Sequence, residues 1–246
     1  GTFCAQYHNL FVRKLQTKRA QVDELWAFCG CKDKAKEAGA KGFGSVWTWV
    51  AMDADSKLCI SYLVGLRDSQ YAVEFVKDAA SRIESRIQLT SDGHKPYIEA
   101  VEQAFHGNVD YSMLIKMYGT DGDHERRYSP ATCTGCKREV LSGEPDEAYI
   151  STSYIERQNL TVRMSARRFT RLTNAFSKKL ENHEHAVALH YFFYNFIRKH
   201  MTLKTTPAVA AGLMNRALTA LDLVKMIEQE EATLGQRITD YLKFSK

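Results

Sequence analysis

The sequence predicts an α/β fold: a five-stranded mixed sheet flanked by helices. Three apolar, strand-like runs follow one another at residues 21–28, 45–52 and 57–64, and the pattern then alternates helix, strand, helix, strand from 69 to 118. A long, acid-poor helical stretch opens near Ser153. Bulk composition sets the frame for that fold. With 246 residues, 44% of them hydrophobic, the chain can bury a large core as one domain with appendages. Only 4 Pro and 14 Gly argue against a long disordered linker. The expected division is a helical N-terminal leader at 1–20, a central domain at 21–201 with a loop-rich insertion at 119–150, and a helical C-terminal extension at 202–246. No apolar run approaches the ~18–20 residues that span a bilayer, so no membrane partner is expected. Six cysteines without secretory features read as reduced thiols rather than a disulfide framework.

In chain order, residues 1–20 are basic and weakly amphipathic. Lys14, Lys18 and Arg19 could touch a phosphate backbone, but a solvated leader is the plainer reading. The first strand carries Asp23 and Glu24 among Val, Leu, Trp and Phe, and an acid there costs free energy unless it is paired or metal-bound. Alternation along a strand predicts that only one of the two faces a given site. The second and third strands form a hairpin around Asp53-Ala54-Asp55-Ser56, in which both aspartates read as turn residues. Residues 69–84 have apolar positions at helical spacing. A short strand at 86–90 runs into Ser91-Asp92-Gly93-His94, then come a helix with Pro96 in its first turn and a strand at 111–118. His94 could touch a phosphate or a water, or simply bond its own loop and the next helix. The insertion holds a charged cluster (Asp121, Asp123, His124, Glu125, Arg126, Arg127) and the pair Cys133 and Cys136. That pair is half a tetrahedral zinc site, with Cys29, Cys31 and His124 as the only candidate further donors. Zinc is not expected, and the pair reads as loop thiols. His183, His185 and His190 fall in an aromatic, buried helix and read as packed or surface histidines.

The stretch 153–168 reads as the opening of a helix, and residues 156–179 hold seven cations (Arg157, Arg163, Arg167, Arg168, Arg171, Lys178, Lys179) against the single acid Glu156, a local balance of +6 in a chain of +5. Ser151, Thr152 and Ser153 offer caps for its start. At helical spacing Asn159, Leu160, Arg163 and Arg167 follow Glu156 on one face. A basic run usually marks a solvated face or a simple nucleic-acid patch. A lone acid within it points further, to a metal ligand beside phosphate-binding cations. In an arrangement of three antiparallel strands followed by strand–helix–strand, the first and fourth strands are neighbours. Asp23, Asp92 at the end of the fourth strand, and Glu156 could therefore meet. Three carboxylates suit hard divalent cations such as Mg²⁺, two of which can assist phosphoryl transfer. No phosphate-cradling glycine loop appears, so ATP is not implied.

The stretches Asp23-Glu24-Leu25-Trp26-Ala27-Phe28, Thr90-Ser91-Asp92-Gly93 and Ile155-Glu156-Arg157-Gln158-Asn159-Leu160-Thr161-Val162-Arg163 resemble the DDE transposases of bacterial insertion sequences, in particular the IS-one family. Residues 176–183 are also similar, and the resemblance covers roughly residues 20–200. It implies a ribonuclease-H-like (retroviral-integrase-like) core in which Asp23, Asp92 and Glu156 are catalytic and bind two Mg²⁺ or Mn²⁺ ions. It implies strand cleavage at transposon ends, transfer of the 3′-hydroxyl to target DNA, a homo-oligomer of two or more chains, and a bacterial, cytoplasmic, nucleoid-associated setting. Arg163 matches the positive residue seven positions after the catalytic Glu. Tyr154 stands two positions before Glu156, so the fuller tyrosine-arginine-glutamate-lysine signature is met in part. The family's N-terminal DNA-reading module is not visible, so recognition of element ends is expected to lie outside this chain. Two other readings remain: a structure-specific nuclease without strand transfer, and a non-catalytic DNA-binding module, against which the intact acids count.

Overall fold

The structure, a computed structural model, describes residues 1–33, 44–119, 133–170 and 174–244, with side chains through residue 233. The strands are β1 (Arg19–Cys29), β2 (Gly44–Asp53), β3 (Cys59–Gly65), β4 (Ile87–Ser91), β5 (Val109–Tyr118) and β6 (Cys133–Ser142). They make one mixed sheet in the order β3-β2-β1-β4-β5-β6. β1 pairs antiparallel with β2 and parallel with β4. β4 and β5 are parallel, and β6 is antiparallel to β5.

Alternation along the strands sorts their side chains into two cores. Ala20 and Val22 of β1, with Trp49 and Ala51 of β2, pack with α1 (Thr2–Phe11), α2 (Ser69–Ser81) and α3 (Pro96–Phe105). Leu25, Ala27, Val46 and Val50 pack instead with α4 (Ser153–Ser165) and α5 (Leu180–Phe192). β1, β2 and β3 therefore carry buried apolar side chains on both faces, which is why they read as near-continuous hydrophobic runs. A π-helical turn at Phe193–Ile197 continues α5, and α6 (Pro207–Ala210) and α7 (Ala220–Phe244) complete the chain.

Three expectations are corrected. The sheet has six strands rather than five, because the segment expected to be a loop-rich insertion supplies β6. As an edge strand exposed on both faces, β6 carries no apolar alternation to betray it. The N-terminal residues are not a solvated leader. Within α1, Cys4, Tyr7 and His8 are buried, and the Tyr7 ring meets Phe192 and Phe196 edge-on at 5.3 and 5.1 Å. Burial holds the His8 ring neutral, with a pKa of about 3, while Nε2 sits 3.1 Å from the Ile60 carbonyl. Finally, α4 stops at Ser165, and Arg167 lies in a separate 3-10 turn (Arg167–Phe169), so no continuous guanidinium face runs on from Glu156. Phe169 is 3% exposed within the second core, and reaching it requires the chain to leave the helix at Ala166. The charged cluster at 121–127 and Arg171 lie outside the described residues.

Candidate active site

The site forms where β4 ends beside a longer β1. Val22 is in register with Ser91, so Asp23 and Asp92 occupy the next positions of two adjacent parallel strands. Beyond that point β1 runs on to Cys29 without a partner strand along this edge, while β2 still pairs with its other edge. That geometry overrides the alternation argument. Asp23 points toward α4 and Glu24 toward α3, yet oxygens of Asp23, Glu24 and Asp92 all come within 4.8 Å of one another. Among the described residues this is the only cluster of three or more metal-ligating side chains.

Asp23 accepts a 2.7 Å hydrogen bond from Asn159 Nδ2 and a 2.8 Å bond from the Glu24 amide. Burial, then the negative charge of Asp92, pushes its pKa up to about 7. The Glu24 side chain is 1% exposed, and burial and the Asp92 charge raise it to about 8. Arg67 opposes that rise, at 3.3 Å from Glu24 Oε2 and 3.9 Å from Asp92 Oδ2. Asp92 itself accepts from the His94 amide at 3.0 Å.

Glu156 lies in the first turn of α4, where the helix dipole favours an acid. It accepts from Lys116 Nζ and from Thr152 Oγ1, each at 2.5 Å. Asp23, Asp92 and Glu156 line one cavity of about 710 Å³, together with Arg67, His94 and Lys116. Glu156 stands outside the tight three-acid cluster, held by its lysine.

His94 bonds its own loop and the start of the next helix. Its amide closes the loop onto Asp92 and its carbonyl accepts from the Tyr97 amide as α3 begins. Its ring packs against Trp49 and Tyr97 with Nε2 3.9 Å from Glu24 Oε1, too far for a hydrogen bond. Burial, more than the Arg67 charge, lowers its pKa. His94 Nε2 is buried without a hydrogen-bond partner among the described residues, and the buried Glu24 carboxylate faces the Tyr97 hydroxyl. Buried carboxylate oxygens against a single nearby guanidinium form a donor set that suits a hard divalent cation.

The helix that carries Glu156 is anchored from the sheet. Gln21 Oε1, buried on β1, accepts from the amides of Tyr154 and Ile155, both at 3.0 Å. The predicted side-chain cap from Thr152 is absent, because its hydroxyl is turned to Glu156. Replacing Gln21 with Leu leaves two helix donors unsatisfied and is expected to cost about 2 kcal/mol. In a chain of this size that is a melting point about 4–8 °C lower. An unchanged melting point would show that the anchor carries no weight.

The basic residues scatter. Arg163 donates to the Phe169 carbonyl at 2.9 Å, and Arg168 donates to the Asn182 carbonyl at 3.1 Å and Ser177 Oγ at 3.0 Å, so both guanidinium groups brace the turn after α4. Arg167 and Lys179 are exposed, and the Lys178 ammonium lies 3.3 Å from the centroid of the Phe176 ring. Arg157 faces a second cavity, away from the acids. Cys133 and Cys136 are exposed on β6 and belong to no such ligand cluster among the described residues. His124 lies outside those residues.

No protein-family model matches the chain, and no curated protein matches it. Among solved structures it is similar to a piggyBac transposase in a synaptic complex with hairpin DNA. The TM-score is 0.33 and the identity 12%, over 72% of this chain and 44% of that one, so the chain spans less than half of that protein's length.

The sequence singled out Asp23, Asp92 and Glu156 but missed Glu24, Arg67, Lys116 and Gln21. Glu24 was visible as a mid-strand acid and was set aside by the alternation rule. Arg67 and Lys116 carry no local pattern, since only the fold brings them to the acids.

Proposed function

We propose that this chain is a ribonuclease-H-like DNA transposase core that cuts DNA at element ends and joins the 3′-hydroxyl to target DNA. The observation that carries the reading is the common cavity of Asp23, Asp92 and Glu156, with the first two in register on adjacent parallel strands. The strand order β3-β2-β1-β4-β5 supports the core assignment. Divalent cations (Mg²⁺ or Mn²⁺) bound by these acids would supply an activated water or hydroxyl and neutralise the leaving oxygen.

The chain's own residues prepare that chemistry. Asn159 and the Glu24 amide fix the Asp23 carboxylate, the His94 amide fixes Asp92, and Thr152 fixes Glu156. Glu24 adds a fourth acid on the α3 side of β1. Arg67 and Lys116 line the same cavity and offer positive charge to a phosphate entering it. Lys116 must release Glu156 when that acid is needed, so Lys116→Met is expected to tighten Mn²⁺ binding severalfold by calorimetry. Weaker binding would mean that the lysine instead holds Glu156 in its working position. Pairing of element ends would make a dimer or larger homo-oligomer. The deciding experiment incubates the protein and Mg²⁺ with a precut 3′-hydroxyl DNA end and a plasmid. Joined product supports the transposase reading, and cutting without joining favours a nuclease.

A further inference from the structure

A second cavity of about 460 Å³ lies behind α4, between that helix, the β2–β3 turn and residues 194–202. Tyr154, Arg157, Gln158 and Thr161 line it at i, i+3, i+4 and i+7, a face of α4 distinct from the one that carries Glu156 and Asn159. Lys57, Arg198 and Lys199 complete a basic wall with the neutral His200 ring beside it, and no acid lines the cavity. The Arg157 and Lys199 side chains have no ion-pair or hydrogen-bond partner among the described residues, and Arg198 reaches only Ser165 Oγ, at 3.2 Å. Gln158 is 3% exposed and lines this cavity, and its Nε2 donor has no hydrogen-bond partner among the described residues. A buried amide donor without an acceptor is costly, and here it lies beside Arg157, Arg198 and Lys199, none of which pairs with a carboxylate among the described residues. The half-exposed Tyr154 ring, with the Lys57 ammonium 3.1 Å from its centroid, forms one wall.

We propose that this pocket is a second nucleic-acid site, taking a phosphate group of a DNA strand other than the one at the carboxylates. Phosphate oxygens supply the negative charge that the wall lacks and acceptors for its unpaired guanidinium and ammonium donors. Because α4 separates the two cavities, a strand seated here passes beside the acids rather than through them. The site needs no metal and stands whether or not the carboxylates cut DNA.

The test uses the full chain in EDTA with a short fluorescent single-stranded oligonucleotide. Arg198→Ala combined with Lys199→Ala is expected to weaken binding about tenfold at low salt and to lower the salt slope by about 1.4, as for two lost phosphate contacts. In the unaltered protein, the same oligonucleotide should protect Lys57 and Lys199 from acetylation while Lys225 reacts freely. This footprint decides the matter if the double variant fails to fold. An unchanged salt slope in a folded variant, or unprotected lysines, would overturn the proposal. So would protection by inorganic phosphate that the oligonucleotide does not reproduce, which would make the pocket a free-anion site.

Discussion

Glu156→Gln is expected to lower metal-dependent DNA cleavage by about three orders of magnitude or more, equivalent to ~4 kcal/mol at the transition state. DNA binding in EDTA should change little. The amide keeps the volume and can still accept from Thr152, but it loses the charge that attracts both Lys116 and a cation. The exposed character of the Lys116 pair keeps the stability cost below about 1 kcal/mol, so lost cutting cannot be blamed on unfolding. Gel-based cleavage with Mg²⁺ and with Mn²⁺, alongside a melting curve, checks both halves. Near-normal cutting would remove Glu156 from the chemistry.

The second large effect concerns pH without metal. Asp23 and Glu24 hold protons to about pH 7 and 8 in the folded chain, against ordinary values of 3.8 and 4.5. Between roughly pH 5 and 8 the folded state therefore binds protons that the unfolded state has released, and stability falls as pH rises. In EDTA the fall across this window is expected to be several kcal/mol in all, read as a melting point more than about 10 °C lower at pH 9 than at pH 5. Millimolar Mn²⁺ should restore most of that loss, since cation binding releases the same protons. Asp92→Asn should flatten the slope even in EDTA, because the Asp92 charge raises both groups. A melting point independent of pH would mean that the acids are ionised and already neutralised within the protein.

These effects trace back to how much of the molecule its sequence discloses. The neighbourhood of β1 and β4 was legible because three antiparallel strands followed by strand–helix–strand leave few ways to order a sheet. Asp23 stood out as an acid inside an apolar strand, and Asp92 as the residue after a strand end. β6 was not legible, because an edge strand exposed on both faces needs no apolar pattern. The docking of α1 was hidden too, since its buried side, Cys4, Tyr7 and His8, mixes polar with apolar types. Glu24 shows a different limit. Asp23 and Glu24 do point to opposite sides of β1, but β4 stops at Ser91, and past that end the two side chains reach round to one cluster with Asp92. The arginines after Glu156 illustrate the reverse case. Their charge was plain in the sequence, yet Arg163 and Arg168 are held by backbone carbonyls of the turn that follows.

The most direct test is a crystal structure of the protein soaked in Mn²⁺, read by anomalous scattering. A peak at coordination distance from carboxylate oxygens of both Asp23 and Asp92, with Glu156 swung off Lys116 toward it, is the predicted result. No peak between these acids, with Arg67 and Lys116 still neutralising them, would contradict the account.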